Sequence, residues 1–222
     1  MKQELVLKDK LPDGWKWSNL KKISLNSNEG LLDGNWVLSS DMSNKKEVRL
    51  LQLADIGINK FLDVSERYVT KERAKELHAR WVESGDILIA RMPDPIGRAC
   101  IVPDLGLPLI TAVDVSILKI NYLLADKSYI TYYLNSQIFM NNAISLSSGS
   151  TRKRVSRKKL ELIPILLPPL PVQKQIVAKL DKLSNEHNLI KETINQKLSA
   201  ISQLPSSLLN EVFGKYEIPE VK

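Results

Sequence analysis

The sequence has few of the residues that build metal sites and cross-links. Its 222 residues include one cysteine, Cys100, and two histidines, His78 and His187. A single cysteine excludes an intrachain disulfide and a zinc site closed by several thiolates. With only two histidines beside it, a zinc enzyme is a poor interpretation, and we expect no metal site in this chain.

Long apolar runs are also missing. The most apolar stretch, residues 163–172, is short and carries four prolines. The first ten residues, MKQELVLKDK, are charged and lack the apolar core of a signal peptide. We therefore expect no membrane segment and, with one free thiol, a cytoplasmic protein.

Common enzyme motifs do not occur. The sequence contains no G-x-G-x-x-G, no G-K-[ST], no G-x-S-x-G and no H-E-x-x-H. An acidic residue two positions before a lysine, as in many metal-dependent nucleases, occurs only as Glu220-Val-Lys222. We predict a chain with no catalytic residue and no cofactor of its own.

Apolar residues and positive charge are abundant. The apolar share of 43% is enough for a sizeable core, and 32 basic against 25 acidic residues give a net charge of +7. This excess favours an anionic partner, with nucleic acid ahead of an acidic membrane surface. A soluble protein that is merely basic is the alternative.

The pattern predicts an α+β fold with a separate helical end. Residues 1–163 mix short apolar runs with amphipathic segments, residues 164–171 are a proline-rich joint, and residues 172–216 are helical before a tail at 217–222. Helices are predicted over 70–78, with Thr70 as the N-cap, and over 129–142. The predicted strands are residues 48–55, 86–90, 99–102 and 114–120.

The helical end shows a coiled-coil pattern. No proline or glycine interrupts the 32 positions from 172 to 203, a rod of about 48 Å that needs a partner helix. Pro205 is expected to start a second short helix that Gly214 ends. At His187 we expect a packed histidine, with a pH switch as the alternative. The predicted dimer interface comprises Ile176, Leu180, Leu183, His187, Ile190, Ile194, Leu198 and Ile201.

A basic run follows a loop of small polar residues. Residues 152–159 read RKRVSRKK and contain no acid. Guanidinium groups, hydroxyls and backbone N–H groups together suit contact with DNA phosphates. A solvated charge run and a polybasic membrane patch are the alternatives. The candidate phosphate contacts are Ser148, Ser150, Thr151, Arg152, Lys153, Arg154 and Arg157.

Two further loops carry candidate DNA contacts. In residues 91–98, RMPDPIGR, Arg91 and Arg98 flank a proline-stiffened loop and are expected to project towards base edges. A structural turn with an ion pair to Asp94 is the alternative. The second loop, residues 41–49, supplies Lys45, Lys46 and Arg49.

Four motifs, in order along the chain, resemble the specificity subunits of type I restriction–modification enzymes. One is typical of the start of such a domain, one is similar to a class of their target recognition domains, and two resemble the beginning and end of their long helix. These motifs are Leu11-Pro-Asp-Gly-Trp15-Lys-Trp17, residues 48–57 with 85–98, residues 148–177, and Leu204-Pro205-Ser-Ser-Leu208.

The resemblance implies a non-catalytic DNA-recognition subunit. It would guide methyltransferase subunits and a nuclease–translocase subunit to a bipartite sequence in double-stranded DNA. Those partners would hold S-adenosylmethionine, Mg²⁺ and ATP. Family members usually carry two recognition domains and two long helices, so this chain resembles a half subunit that pairs with a second one. A DNA-binding half subunit outside restriction, as a decoy or a recombination cassette product, and a coiled-coil scaffold remain as alternatives.

Overall fold

The computed structural model describes residues 11–26 and 30–214. It forms two compact units that meet between Val177 and Ala178. The strands are β1 Lys16–Asn19, β2 Leu32–Asp33, β3 Val48–Leu51, β4 Tyr68–Val69, β5 Trp81–Val82, β6 Ile87–Ala90, β7 Ala99–Ile101, β8 Leu109–Thr111, β9 Val115–Leu118 and β10 Pro164–Leu167. The helices are α1 Leu20–Ile23, α2 Lys71–Glu76, α3 Lys127–Leu134, α4 Gln137–Ser145, α5 Arg157–Leu160 and α6 Leu170–Phe213. The predicted α+β class is confirmed.

Three small sheets organise the described part of the first unit. An antiparallel four-stranded sheet has the order β2-β9-β6-β7. A second four-stranded sheet, β4-β3-β8-β5, is mixed, because β3 and β8 run parallel. The third sheet pairs β1 with β10.

The strands β6 and β9 form the centre of the core. All of their residues are buried, as expected of strands covered on both faces. Alternate side chains of β6 pack into different apolar clusters, with Ile87 and Ile89 on one side and Leu88 and Ala90 on the other. The prediction of a buried strand over residues 86–90 is confirmed.

The antiparallel pairing gives this sheet two distinct ends. At one end, the N–H of Arg91 donates to the carbonyl of Asp114 at 3.0 Å. At the other end, Lys119 Nζ lies 3.0 Å from Asp86 Oδ2. We call these the Asp114 end and the Lys119 end.

The helix predicted over 129–142 is two helices instead of one. The break falls at Asn135 and Ser136, whose side chains bond to backbone groups in place of a continuous helical ladder. Asn135 Oδ1 accepts the N–H of Ala99 at 3.0 Å, and Ser136 Oγ caps α4 through the N–H of Phe139. At the other predicted helix, Thr70 caps α2 as expected, through the N–H of Arg73.

The predicted proline-rich joint is largely a strand. Residues 164–167 form β10, which pairs with β1, and Tyr129 Oη donates to the carbonyl of Leu166 at 2.8 Å. The prolines allow this because Pro164 is the first residue of the strand and Pro168 follows its last. This segment therefore belongs to the packed unit and is not a linker.

The long helix also differs from the prediction. It begins at Leu170 and continues through Pro205 to Phe213, 44 residues in all, so no second short helix begins at Pro205. The φ of proline is already helical, and within a helix its missing N–H costs one backbone bond. The predicted tail, residues 217–222, and the last two predicted helical positions lie outside the described residues.

The first turns of α6 are held to the core of the first unit. The buried Gln173 donates to the carbonyl of Pro168 at 2.8 Å and accepts the N–H of Asp126 at 2.8 Å. Ile176 and Val177 pack against the main apolar cluster. The side chain of Ile176 is therefore partly covered by its own domain, and its predicted contact with a second helix is untested.

Candidate nucleic-acid interface

A short hairpin presents the small polar loop and the start of the basic run. Ser148 and Arg154 are paired by two backbone hydrogen bonds, at 3.0 and 2.9 Å, and residues 149–153 form the tip. Gly149 is required there, since its φ is +113° and an added Cβ would lie 2.4 Å from the carbonyl oxygen of Arg152. The predicted contacts Ser148, Ser150, Thr151, Arg152 and Lys153 are all exposed on this hairpin.

An ion pair and hydrogen bonds to backbone carbonyls anchor the hairpin to the Asp114 end of the central sheet. Arg154 Nε lies 3.1 Å from Asp114 Oδ1, and its Nη2 donates to the carbonyl of Val113 at 3.2 Å. The N–H of Val155 donates to the carbonyl of Arg91 at 3.0 Å. The tip therefore projects from a rigid base, and the charge of Arg154 is balanced by Asp114.

Arg157, the next arginine of the run, braces the same region. Its Nε lies 3.1 Å from Asp33 Oδ2, and its Nη1 donates to the carbonyl of Leu31 at 2.7 Å. Nη1 also lies 3.4 Å from the buried Glu161 carboxylate. In this structure Arg157 connects α5 to β2, and its predicted contact with phosphate is untested.

The expectation that Arg91 and Arg98 project from their loop is wrong. Arg91 is buried, donates to the carbonyl of Val113 and lies 3.2 Å from Asp33 Oδ1. Burial lowers the pKa of its guanidinium, and Asp33 opposes that shift.

Arg98 is also buried, and it binds four backbone carbonyls. Nε and Nη2 donate to Ile56 and Leu53 at 2.7 and 2.9 Å, and Nη1 donates to Met92 and Pro95 at 3.2 and 3.0 Å. Both arginines therefore have a structural role, as in the alternative interpretation. The described residues show no ion pair of either arginine with Asp94; the partners are Asp33 and backbone carbonyls.

The third candidate loop is divided. Arg49 is buried, donates to the carbonyl of Ser65 at 2.9 Å and pairs with Asp63. Lys45 and Lys46 are exposed, and Lys46 Nζ lies 5.4 Å from the centre of the Tyr68 ring. Only the two lysines present their charge to solvent here.

The remaining predicted interface residues lie along α6. Leu180 is half-buried, and the next six are exposed, so an apolar face of the helix has no cover among the described residues. The exposed apolar pattern continues past the predicted end at Ile201, through Leu204, Leu208 and Val212. Their contact with a second helix stays a prediction.

The described residues contain neither a cluster of metal ligands nor a helix that could span a membrane. No group of three or more His, Cys, Asp or Glu side chains in residues 11–26 and 30–214 could hold a metal ion. No helix in the same residues has the length and apolar composition to cross a membrane.

Comparison with protein families decides the relationship. The type I restriction modification DNA specificity domain matches residues 18–200, which is most of the chain. This chain belongs to that family. The match includes the hairpin, both four-stranded sheets and most of α6.

Curated relatives agree with this assignment. The chain is 26% identical over 207 residues to the type I restriction enzyme StySPI specificity subunit of Salmonella potsdam, with 90% of this chain covered. It is 24% identical over 205 residues to the EcoBI specificity subunit of Escherichia coli, with 91% covered. The aligned part is 42% of each relative, so the chain spans less than half of their length.

Solved structures show the same fold. One comes from a study of complex assembly and conformational transition of the type I R-M system. The match covers 94% of this chain and 48% of the chain in that structure, with TM-score 0.71 and 20% identity. The HsdS subunit from Thermoanaerobacter tengcongensis matches 93% of this chain and 46% of its own, with TM-score 0.62 and 20% identity. These likenesses support the fold of the specificity domain.

The acids that pair with the arginines of the specificity domain were not predicted from the sequence. Asp33 and Asp114 are remote in sequence from the arginines that they pair with, so no local pattern indicated them, whereas Glu161 lies four residues after Arg157. Trp36 was not predicted as a site residue either, and its side chain is 69% exposed. It lies at the Asp114 end, next to Asn35, whose N–H donates to the carbonyl of Thr111 at 2.7 Å. The clustering of all four tryptophans in the first 81 residues was the available signal.

Proposed function

We propose that this specificity domain binds double-stranded DNA through the surface at its Asp114 end. The exposed basic hairpin, anchored to the central sheet by an ion pair and hydrogen bonds, is the observation that carries this proposal. A rigid base limits the entropy lost when the tip meets DNA, which favours binding.

Phosphate is the group that the hairpin tip suits. Arg152 and Lys153 have no ion pair to another described residue, and the neighbouring hydroxyls of Ser150 and Thr151 can donate to phosphate oxygens. Such contacts fix the position of a protein on the duplex and carry no sequence information themselves. Base recognition then falls to other exposed side chains at this end, with Trp36 a candidate.

A bipartite target is the second part of the proposal. The exposed apolar face of α6 pairs with a second long helix, and that pairing holds a second recognition domain at a fixed distance on the DNA. If the partner is an identical copy, the two half-sites are inverted and the target is an interrupted palindrome.

Catalysis belongs to other subunits in this proposal. Relatives of the chain are named specificity subunits, which supports a recognition role here. A methyltransferase subunit with S-adenosylmethionine would methylate adenine, and a nuclease–translocase subunit with Mg²⁺ and ATP would cleave. This chain would determine where on the DNA both act.

Mapping of methylated bases tests the proposal. Genomes of cells that express the chain together with a methyltransferase subunit should carry methyl groups in one bipartite sequence, and cells without the chain should lack them. Replacing both Arg152 and Lys153 by alanine should reduce methylation at all sites alike. A methylation pattern that does not depend on the chain would reject the recognition role, and duplex binding that does not depend on salt would favour the scaffold.

A further inference from the structure

A tight turn at the Lys119 end of the sheet presents a large apolar surface. The N–H groups of Leu124 and Ala125 donate to the carbonyl of Asn121 at 2.9 and 3.1 Å, and the N–H of Leu123 donates to Asn121 Oδ1 at 3.0 Å. The turn is itself held, because the N–H of Asn121 donates to the carbonyl of Ile23 at 2.9 Å. Its crest, Tyr122 and Leu123, is 65% and 84% exposed.

Clefts lie on both sides of this turn. One, of about 270 Å³, is lined by Leu124 together with Trp17, which is itself 41% exposed. The other, of about 240 Å³, lies against Tyr122 and the first turn of α6 at Leu170. A ridge with a cleft on each side is a shape into which a complementary protein surface can interlock.

The charge around the ridge is mainly positive. Lys16 and Lys22 line the first cleft, and Lys127 and Lys174 line the second. None of the four forms an ion pair with another residue of the described chain. The one acid in the lining, Asp126, accepts the N–H of Tyr129 at 2.9 Å as the cap of α3. The surface therefore complements carboxylates.

The position of the ridge separates it from the candidate DNA surface. The basic hairpin is fixed at the start of β9, through Asp114, whereas the ridge follows the opposite end of that strand. The exposed side chains of Tyr122 and Leu123 would gain little against phosphates. Apolar contact area of this kind is typical of a protein interface.

We propose that this ridge, residues 121–125 with its four flanking lysines, is the docking site of a protein partner. The partner presents an apolar groove that receives Leu123 and is bordered by Asp or Glu side chains facing the lysines. The proposal rests on the proposed function, in which the partner of this chain is a methyltransferase subunit.

Co-purification with a co-expressed methyltransferase subunit tests the proposal. Leu123→Asp places a carboxylate in the apolar groove and should lower the amount of recovered methyltransferase at least tenfold. The double change Lys127→Glu/Lys174→Glu should do the same through like-charge repulsion. The matched control is Ile58→Asp, at a 54% exposed isoleucine of another loop, which should leave recovery unchanged.

Duplex affinity is measured in parallel and distinguishes the two proposals. Affinity for DNA should be unchanged in Leu123→Asp. Equal recovery of methyltransferase with wild type and Leu123→Asp overturns the docking site and leaves the proposed function standing. A loss of duplex affinity in the lysine variant with recovery intact makes the ridge a DNA surface and also overturns it. If wild type recovers no methyltransferase while it binds duplex, both the docking site and the proposed partner are wrong.

Discussion

The arginines and lysines of the basic run should separate into two classes when each is replaced by alanine. Arg152 and Lys153 project from the hairpin tip, whereas Arg157 is bonded to the carbonyl of Leu31 and paired with two carboxylates. Loss of the first two removes charge that meets phosphate. Loss of Arg157 removes a brace of the fold.

The size of the first effect follows from counterion release. Each lost phosphate contact lowers the slope of log affinity against log salt by about 0.9. Between 50 and 200 mM salt, each contact accounts for a factor of ~3.5 in affinity. The affinity of wild type should therefore fall ~12-fold more over that range than the affinity of the double variant Arg152→Ala/Lys153→Ala. Its thermal midpoint should not move, because exposed surface substitutions change stability by only about 0.5 kcal/mol.

Arg157→Ala should show the opposite behaviour. It removes the donor to the carbonyl of Leu31 and one of the groups that contact Asp33 and Glu161, which costs about 1–3 kcal/mol of unfolding free energy. For a domain of this size, the thermal midpoint should fall by about 2–12 °C. The salt slope, measured on the folded protein, should stay close to that of wild type.

Fluorescence anisotropy with a labelled duplex at four salt concentrations, together with thermal unfolding of each variant, makes both measurements. Lys158→Ala, at an exposed lysine of the same run outside the hairpin tip, should leave the midpoint unchanged, and it should leave the slope unchanged if the phosphate contacts are confined to the tip. If the double variant keeps the wild-type slope, the run is a solvated face. If Arg157→Ala lowers the slope by about one unit with no loss of stability, our assignment of a bracing role is wrong.

Four other predictions concern the fold and the assembly. Arg98→Ala should lower the unfolding free energy by about 2–4 kcal/mol in urea unfolding, because it removes four hydrogen bonds to buried carbonyls, of which those of Leu53 and Pro95 keep a backbone donor, and Arg98→Lys should recover little. Burial raises the pKa of Cys100 to about 12, so at pH 8 the thiol should stay neutral and resist iodoacetamide until the protein unfolds; rapid alkylation of the folded protein would contradict this. Ile190→Glu/Ile194→Glu should abolish helix pairing in sedimentation, since it places charge in the apolar face. Four residues inserted after Glu186 should lengthen the helix by ~6 Å and the preferred DNA spacer by about one or two base pairs, while two inserted residues should rotate the face by ~200° and prevent assembly.

Short-range patterns predicted the parts of the fold that depend on neighbours in sequence. The buried strand over residues 86–90, the cap at Thr70 and the long helix all follow from periodicity and local hydrogen bonding. The helix break at Asn135 was not predicted, because the bond of its side chain to Ala99 of β7 overrides the local helix preference. At Pro205 a break was predicted and none occurs, since proline disfavours the interior of a helix without excluding it.

The candidate site was less predictable than the fold, for a physical reason. An arginine after a strand in a proline-rich loop has the same local sequence whether it projects or is buried. Arg98 is buried against the carbonyls of Leu53 and Ile56, which are 45 and 42 residues away in sequence. Arg157 is held by Asp33, 124 residues away. Only the folded chain shows which cations already have partners.

This distinction sets an upper limit on the electrostatic contribution of the run. Of its six cations, Arg154 and Arg157 are balanced by Asp114 and by Asp33 and Glu161. Four cations then remain for phosphate, so the run accounts for a salt slope of at most about 3.6. A measured slope well above that value requires phosphate contacts elsewhere on the chain, and exposed lysines such as those of residues 45–46 would be the next to test. A slope near two would instead confine the phosphate contacts to the hairpin tip.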